Sequence, residues 1–351
     1  MRWKYICACS LLERAGAFAL RGKAGTCPSY RSTLPRGRRR KSVGKYILKR
    51  VLEMIPVLIA VTVLMFVLSS LSAGDPARVL AEQAYNHPTI EQINQIRHEY
   101  GLDRPVAEQY LSWLKNVLHG DFGTSLSTNR PALQELARHF PVTLKLALTA
   151  IALLLIICIP LGILSAVYEG SILDRIVETL CFISASLPGF WIGLMLLYLL
   201  GVKLKVIPVI GGTTGGVPIV AAFTMNIGNF GILIRLIRTN LRDVLKQDYI
   251  RACRAKGISP AKTILKHGMK NAVIPAMTRS VSMIIGFFAG SAVIENIFSI
   301  RGIGFLALEA VITKDMPVLQ CFILVLSVFV VAANLLVDIL YSLIDRRIQL
   351  K

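Results

Sequence analysis

Six apolar segments, each roughly the 20 residues that cross a bilayer as a helix, restrict the folds open to this sequence. Lipid offers no hydrogen bonds to a peptide group, so a spanning segment must satisfy its own backbone, as a helix does. The sequence therefore predicts an all-α membrane protein with six transmembrane helices. The segments cover about 46–71, 142–168, 177–202, 217–237, 281–298 and 318–344.

Three of these segments carry residues that interrupt helices. Pro160 and Gly162 lie in the second, and Pro188-Gly189 lies in the third. The fourth segment is the weakest and holds four polar or small residues: Asn226, Gly228, Asn229 and Gly231. Two interpretations remain open. These segments face protein or a water-filled path, where other groups satisfy the freed backbone, or they contain ordinary kinks with no role in transport.

The distribution of basic residues predicts the orientation in the membrane. Residues 1–50 carry 14 basic residues, and residues 235–279 carry 11 against two acidic ones. Residues 73–140 instead carry six basic and eight acidic residues. Cytoplasmic loops are enriched in Lys and Arg, so we expect a multi-pass membrane protein with both termini in the cytoplasm. The same reasoning assigns the net charge of +20 to cytoplasmic loops and predicts no nucleic-acid partner.

The first 42 residues differ from the rest of the chain. They are basic, with a run at 36–41, and have no apolar core of a signal peptide. We interpret residues 1–42 as a solvated tail, with translation from Val43 as an alternative that N-terminal mass analysis would decide. The seven cysteines show no spacing typical of a zinc site, so we predict no metal.

The remaining chain divides into the first transmembrane helix (43–72), an external helical segment (73–140) and a five-helix core (141–351). In the external segment, Thr89 is a good helix cap and Gly101 a good helix end, which predicts a helix over 90–100. A second helix is predicted from Pro105 to His119. These helices either contact another protein or pack on the outer ends of the spans.

The basic loop at 240–275 is predicted to form two short helices joined at a sharp corner. Gly257 suits a position with positive φ after the first helix. Ser259-Pro260 reads as a cap followed by proline at the first helical position. A helix of small residues followed by glycine lets a partner approach closely. The alternative is a basic cytoplasmic loop without a partner.

This loop resembles the "EAA" loop of ABC-importer permeases in Arg251-Ala252-Cys253, Gly257 and Ile274-Pro275. In that family the loop docks on the ATPase subunit. Arg251 stands at the Glu position and Cys253 at the second Ala, a departure that favours the peptide-type branch. The resemblance therefore implies that Arg251, Ala252, Cys253, Gly257 and Pro275 belong to the ATPase-coupling loop.

Further stretches resemble the B-type permease subunit of dipeptide, oligopeptide and nickel importers, in family order over about 43–351. They are Lys45–Pro56, Gly74-Asp75-Pro76, Tyr100–Pro105, Gln109–Trp113, Gly120–Ser125, Leu187–Gly193, Ile294–Phe298, Gly302-Ile303-Gly304 and Asn334–Asp338. The resemblance implies the importer permease fold in a bacterial cell membrane. It also implies a second homologous permease, two ATP-binding subunits and an external substrate-binding protein. It implies ATP-Mg on the partner subunits and no cofactor on this chain, and the sequence indeed has no GxxxxGK[ST] phosphate loop.

Polar residues within the spans are candidates for the translocation path or for helix contacts. They are Asn226, Asn229, Glu295 and Asn296. Glu295, like Asp338, lies close enough to a membrane interface to be solvated, which is the competing interpretation. Gly286 and Gly290 form a GxxxG, which predicts a close helix contact within the chain or with the second permease.

Cargo and mechanism class remain less constrained. The expected cargo is a peptide or nickel, but none of the five histidines is clearly inside a span. The alternative is a secondary transporter driven by an ion gradient, which predicts charged relays in several spans. An intramembrane enzyme is disfavoured because no HExxH, GxSxG or paired-aspartate arrangement is present. We therefore predict a permease without enzymatic activity of its own.

Overall fold

The computed structural model describes residues 43–71, 76–85, 87–209 and 217–344. Within these ranges the regular elements are helices. One isolated antiparallel β-bridge forms between Thr124 and Pro131. The tail 1–42 and the C-terminal basic residues 345–347 lie outside the described residues.

The helices are numbered in chain order. They are α1 (Val43–Leu71), α2 (Pro76–Ala84), α3 (Ile90–Glu99), α4 (Val106–Leu118), α5 (Ala132–Val167), α6 (Ile172–Ser186), α7 (Gly189–Leu197, continued as a π-helix over Tyr198–Lys203), α8 (Val217–Leu245), α9 (Asp248–Ala255), α10 (Pro260–Lys262, continued as a π-helix over Thr263–Gly268), α11 (Met269–Ile297), α12 (Ile303–Ile312) and α13 (Met316–Ile344).

Several of these helices are long and apolar enough to cross a membrane. In the described residues, three qualify by length and composition: Ala132–Val167, Pro218–Leu245 and Met316–Leu336. The pair α6 and α7 qualifies only when taken together, either as a broken span or as a re-entrant loop. Helices of 29 residues, α1 and α11, also occupy the predicted first and fifth spans. An all-α membrane protein is therefore confirmed, while the count of six spans stays a prediction.

The third predicted span is broken rather than continuous. Its two halves, α6 and α7, meet at an angle of 98°. Between them Leu187 is extended, with φ −99° and ψ 136°. The ring of Pro188 disfavours helical geometry at the preceding residue and removes a backbone donor. The interruption that the sequence indicated is thus a sharp turn between two helices.

The core forms around α8, which packs against α5, α6, α7 and α11. Its fully buried side chains include Leu233 and Ile237. A Cβ added at Gly231 would lie 2.5 Å from the carbonyl oxygen of Cys181 on α6. A Cβ at Gly162 of α5 would lie 2.7 Å from Cγ2 of Ile237. These glycines let neighbouring helices approach closely, which explains why the fourth segment is weak in hydropathy but central in the fold.

The segment 73–140 holds the two predicted helices and one that was not predicted from the sequence. Thr89 forms a capping box with Gln92, and Gly101 follows α3 with φ +63°. Pro105 stands at the cap of α4 rather than inside it. The missed helix, α2, packs on α3. The side chains of α4 contact α1, since the Tyr110 ring lies 5.6 Å from the Phe66 ring. These aromatic residues therefore pack against the first predicted span, while the external position of the segment stays a prediction.

The second span begins earlier than predicted. Helix α5 starts at Ala132, ten residues before the apolar run at Val142, and its first turns carry charged residues such as Glu135 and Arg138. A reading based on apolar runs cannot detect a polar helix start. The helix therefore extends into the segment 73–140 that the sequence analysis assigned to the external side.

Candidate functional site

A groove of about 440 Å³ runs between α8, α11 and the start of α7. Its walls mix aromatic, thioether, hydroxyl, amide and guanidinium groups. The lining residues are Gly189, Phe190, Thr224, Met225, Asn229, Arg279, Ser282, Met283, Gly286, Phe287, Gly290, Val293 and Ile294. This combination of polar and apolar groups fits a ligand that carries both.

One face of α11 forms the longest wall of the groove. Its lining residues recur every three or four positions from Arg279 to Ile294, which places them on one side of the helix. At a rise of 1.5 Å per residue this wall is about 22 Å long. This length is about three quarters of the thickness of a hydrocarbon core, which is about 30 Å.

The glycines of the GxxxG lie open in this wall. A Cβ added at Gly286 or Gly290 would meet no atom within 4 Å. The close helix contact predicted for them is therefore not found within the described chain. Contact with a second permease stays a prediction.

The two predicted asparagines of α8 have different surroundings. Asn229 lines the groove, and its Nδ2 donates to the Met225 carbonyl at 3.4 Å. Asn226 is fully buried, and its Nδ2 donates to the carbonyls of Ala150 and Ala222, both at 2.8 Å. Asn226 therefore joins α8 to α5, and Asn229 alone of the two faces the groove.

Glu295 and Asn296 do not line the groove. Glu295 is 0% exposed, so the competing interpretation, that it is solvated near an interface, does not agree with the structure. Its carboxyl accepts hydrogen bonds from Thr143 Oγ1 at 2.6 Å and from the Phe305 backbone at 2.8 Å. The chain after α11 folds back over this carboxyl. Asn296 donates to the Ala292 carbonyl of its own helix at 2.8 Å.

A second groove, of about 320 Å³, lies between α5, α6, the start of α7 and α8. Its lining is almost entirely aliphatic and aromatic, with Ser184 and Cys181 as the exceptions. It offers few hydrogen bonds to a polar solute. The mixed groove along α11 is therefore the better candidate for a path.

The loop at 240–275 forms the predicted corner. Helix α9 ends at Ala255, and Gly257 follows with φ +73°, a conformation that glycine adopts without strain. Pro260 occupies the first position of α10, although the Ser259 side chain makes no cap hydrogen bond. The second helix is not short, because α10 continues through the π-helical turn into α11.

The residues predicted for ATPase coupling lie in two places. Arg251 and Ala252 are exposed on α9, and Cys253 is half-buried. The fully buried Ile250 holds α9 against the rest of the chain. Around Gly257 there is open space, with no atom within 4 Å of an added Cβ.

Pro275, the last of the predicted coupling residues, lies inside α11 rather than at the corner. The structure therefore brings four of the five coupling candidates together on the exposed α9 turn and leaves Pro275 on the following helix.

Sequence reasoning missed a buried ion pair at one end of α8. Arg238 donates from Nε and Nη2 to the two carboxylate oxygens of Asp174, each at 2.8 Å. The same carboxylate accepts from the Ser165 hydroxyl and from the Gly170 backbone at 2.9 Å. This network connects the turn between α5 and α6 to α8. Its only signal in the sequence is an acid and a base near the ends of adjacent apolar segments.

Arg279 was also missed, because it was counted with the basic loop. The structure places it in the groove, at the end where α11 begins.

Among the described residues, no group of three or more His, Cys, Asp or Glu side chains could hold a metal ion.

A bundle of apolar helices with a continuous mixed groove and an exposed helical corner defines a membrane transport component. Residues 43–147 match the N-terminal family described as "Binding-prot-dependent transport system membrane comp, N-term". Residues 158–350 match the family "Binding-protein-dependent transport system inner membrane component". The chain therefore belongs to the binding-protein-dependent ABC permeases, which confirms the resemblance found in the motifs.

Characterised relatives share most of their length with this chain. The oligopeptide transport system permease protein AppB of Bacillus subtilis is 37% identical over 320 residues, which is 87% of this chain and 99% of that protein. The glutathione transport system permease protein GsiC of Pectobacterium atrosepticum is 37% identical over 307 residues, 87% of this chain and 99% of that protein. GsiC of Salmonella typhimurium is 36% identical with the same coverage.

The family defines several properties of the chain. It is a multi-pass inner membrane permease component and not an enzyme. A binding-protein-dependent importer also implies a substrate-binding protein and ATPase partners. This assignment favours the ATP-driven importer over the secondary transporter. AppB and the two GsiC proteins are oligopeptide and glutathione permeases, and none of these three is a nickel permease.

Proposed function

We propose that this chain forms half of the translocation path of an ATP-driven importer for small peptides. The groove between α8 and α11 carries the proposal, since it places Asn229 and hydroxyl groups beside Phe190 and Phe287. A peptide presents amides along its backbone and variable side chains, so a wall of mixed chemistry suits it. The oligopeptide and glutathione relatives support a peptide rather than nickel.

The proposal includes an assembly and an orientation. The groove is completed by a second homologous permease, and two ATP-binding subunits carry ATP-Mg. The chain has six spans, with 43–72 as the first, 73–140 as the external segment and 141–351 as the core. Both termini are cytoplasmic, because the basic regions 1–50 and 235–279 require the same side. Residues 1–42 contribute nothing to transport.

The corner at 248–260 is proposed to dock on an ATPase subunit. Exposed Arg251 and Ala252 and the open space around Gly257 give a partner a surface that it can approach. Because α10 runs into α11, a movement of the corner is transmitted directly to the groove wall. The second helix of the loop and the groove wall formed by α11 are therefore parts of one continuous helical segment.

Uptake by proteoliposomes tests this function. The chain is reconstituted with its second permease, its ATPase subunits and its binding protein, and radiolabelled tri-alanine, glutathione and nickel are supplied in turn. We expect uptake of a peptide that requires both ATP and the binding protein. Uptake that persists without ATP and the ATPase subunits would contradict an ATP-driven importer, and uptake of nickel alone would contradict the peptide cargo.

A further inference from the structure

Among the described residues that line the groove, Arg279 is the only charged one. It lies on the same face of α11 as Ser282, Met283 and Gly286. In the described part of the chain, no acidic side chain lines the groove beside it. The described lining therefore carries a positive charge near one end and no negative charge that would oppose an anion.

Two arginines of α8 have partners, whereas Arg279 has none among the described residues. Arg238 is paired with Asp174. Arg235 lies 4.9 Å from the Phe182 ring centroid and donates to the Gly231 carbonyl. Arg279, by contrast, is exposed in the groove and has no carboxylate within 4.0 Å in the described part of the chain. Arg279 lies two residues before the fifth predicted span, so its charge stands at one end of the groove, where an anion that enters or leaves would meet it.

The chemistry of the Arg279 guanidinium indicates which group of a cargo it would bind. Its planar, always charged group binds a carboxylate through two parallel hydrogen bonds. An extended tripeptide is about 10 Å long, so it fits along a wall of about 22 Å. With its carboxylate at Arg279, its remaining residues would lie beside Met283, Gly286 and Phe287.

We propose that Arg279 forms an anion-binding subsite in the groove, which takes the free carboxylate of a cargo peptide during passage. This inference rests on the proposed peptide-import function and adds a substrate class to it: peptides with a free carboxylate pass more readily than peptides whose carboxylate is amidated.

The test compares two cargoes in the reconstituted importer, tri-alanine and tri-alanine amide, both delivered by saturating binding protein. Each cargo is compared only with itself across variants, so that any preference of the binding protein cancels. Hydrogen bonds to charged groups are the stronger ones, and we expect Arg279→Gln to reduce tri-alanine uptake by roughly tenfold or more. Uptake of the amide is expected to change by less than about twofold. Arg279→Lys keeps the charge but not the bidentate fork, so it should restore only part of the tri-alanine uptake that Arg279→Gln loses.

Arg175→Gln is the matched control. Arg175 is exposed on α6 and does not line the groove, so its loss should leave the ratio of the two uptakes unchanged. An equal reduction of both cargoes in Arg279→Gln would overturn the subsite, because it would indicate a structural role. Unchanged tri-alanine uptake would overturn it as well. Failure of the wild-type importer to take up any peptide with ATP would instead overturn the proposed function.

Discussion

Thr143 on α5 donates a hydrogen bond of 2.6 Å to the carboxyl of Glu295 on α11. The Thr143 hydroxyl also accepts from the backbone N–H of Ile303 at 2.8 Å, and the other Glu295 oxygen accepts from Phe305. Both Thr143 and Glu295 are 0% exposed. These contacts fasten the first turn of α12 to α5 and α11, so a residue that looked like a path candidate is a structural link.

Replacing Glu295 with Gln should destabilise this link. The amide would direct an N–H group toward one of two donors, Thr143 Oγ1 or the Phe305 backbone, and leave that donor unsatisfied. We expect the free energy of unfolding to fall by about 1–3 kcal/mol. Thermal unfolding of the purified protein in detergent measures this change. Thr143→Ser, which keeps the hydroxyl, should cost much less. Equal stability of Glu295→Gln and wild type would contradict the assignment.

The ion pair between Asp174 and Arg238 should matter more than a similar exposed pair. The Asp174 side chain is only 3% exposed, and Arg238→Gln would remove its bidentate partner. We expect the free energy of unfolding to fall by roughly 3 kcal/mol. Arg242→Gln is the control. Arg242 Nε lies 2.9 Å from Glu169 Oε1 without hydrogen-bond alignment, and both side chains are 40% exposed. Its loss should cost less than about 1 kcal/mol. Equal effects in unfolding experiments would be inconsistent with this ranking.

Two glycines on α8 should respond differently to the same change. In Gly231→Ala the new methyl would lie 2.5 Å from the Cys181 carbonyl, so α6 and α8 must separate. We expect the free energy of unfolding of Gly231→Ala to fall by about 1–3 kcal/mol. Gly228→Ala meets no atom within 4 Å and should be neutral or stabilising by about 0.5–1 kcal/mol, since alanine favours a helix interior. A tolerated Gly231→Ala would show that the two helices do not pack this closely.

Local signals predicted much of this fold, because the physics behind them is local. The capping box of Thr89 and the positive φ of Gly257 depend only on neighbouring residues, and both are confirmed. The bend at Pro188 was indicated as an interruption, but its angle depends on packing that no spacing encodes.

Side-chain roles that depend on segments distant in the sequence were harder to predict from the sequence alone. Glu295 looked solvated because its partners, Thr143 and Phe305, come from other helices. Arg279 was counted as a loop residue because the charge pattern does not show that α10 continues into α11. The sequence therefore predicted the class of protein and the corner, while the groove required the packed structure.

Gly257→Leu should uncouple transport from ATP hydrolysis. The residue must adopt φ +73°, and a bulky side chain would fill the space that a docked ATPase needs. We expect normal membrane insertion but a large loss of ATP-driven uptake. Gly120→Leu is a matched control: Gly120 has φ +85° and an equally open surrounding, but lies in the proposed external segment. Undiminished uptake with Gly257→Leu, or an equal loss in both variants, would refute the docking role.

The most direct test of the path asks whether cargo passes along the open glycine face of α11. A single cysteine is introduced at Gly286, in a background whose native cysteines are replaced, and is modified with a bulky charged methanethiosulfonate. Gly286 has room for the side chain, so the unmodified variant should transport. We predict that modification abolishes most ATP-driven peptide uptake and that peptide protects the cysteine. The same modification at Gly228, which is exposed but outside the groove, should leave uptake intact. Undiminished uptake by fully modified Gly286→Cys importers, verified by mass spectrometry, would contradict a path along this groove.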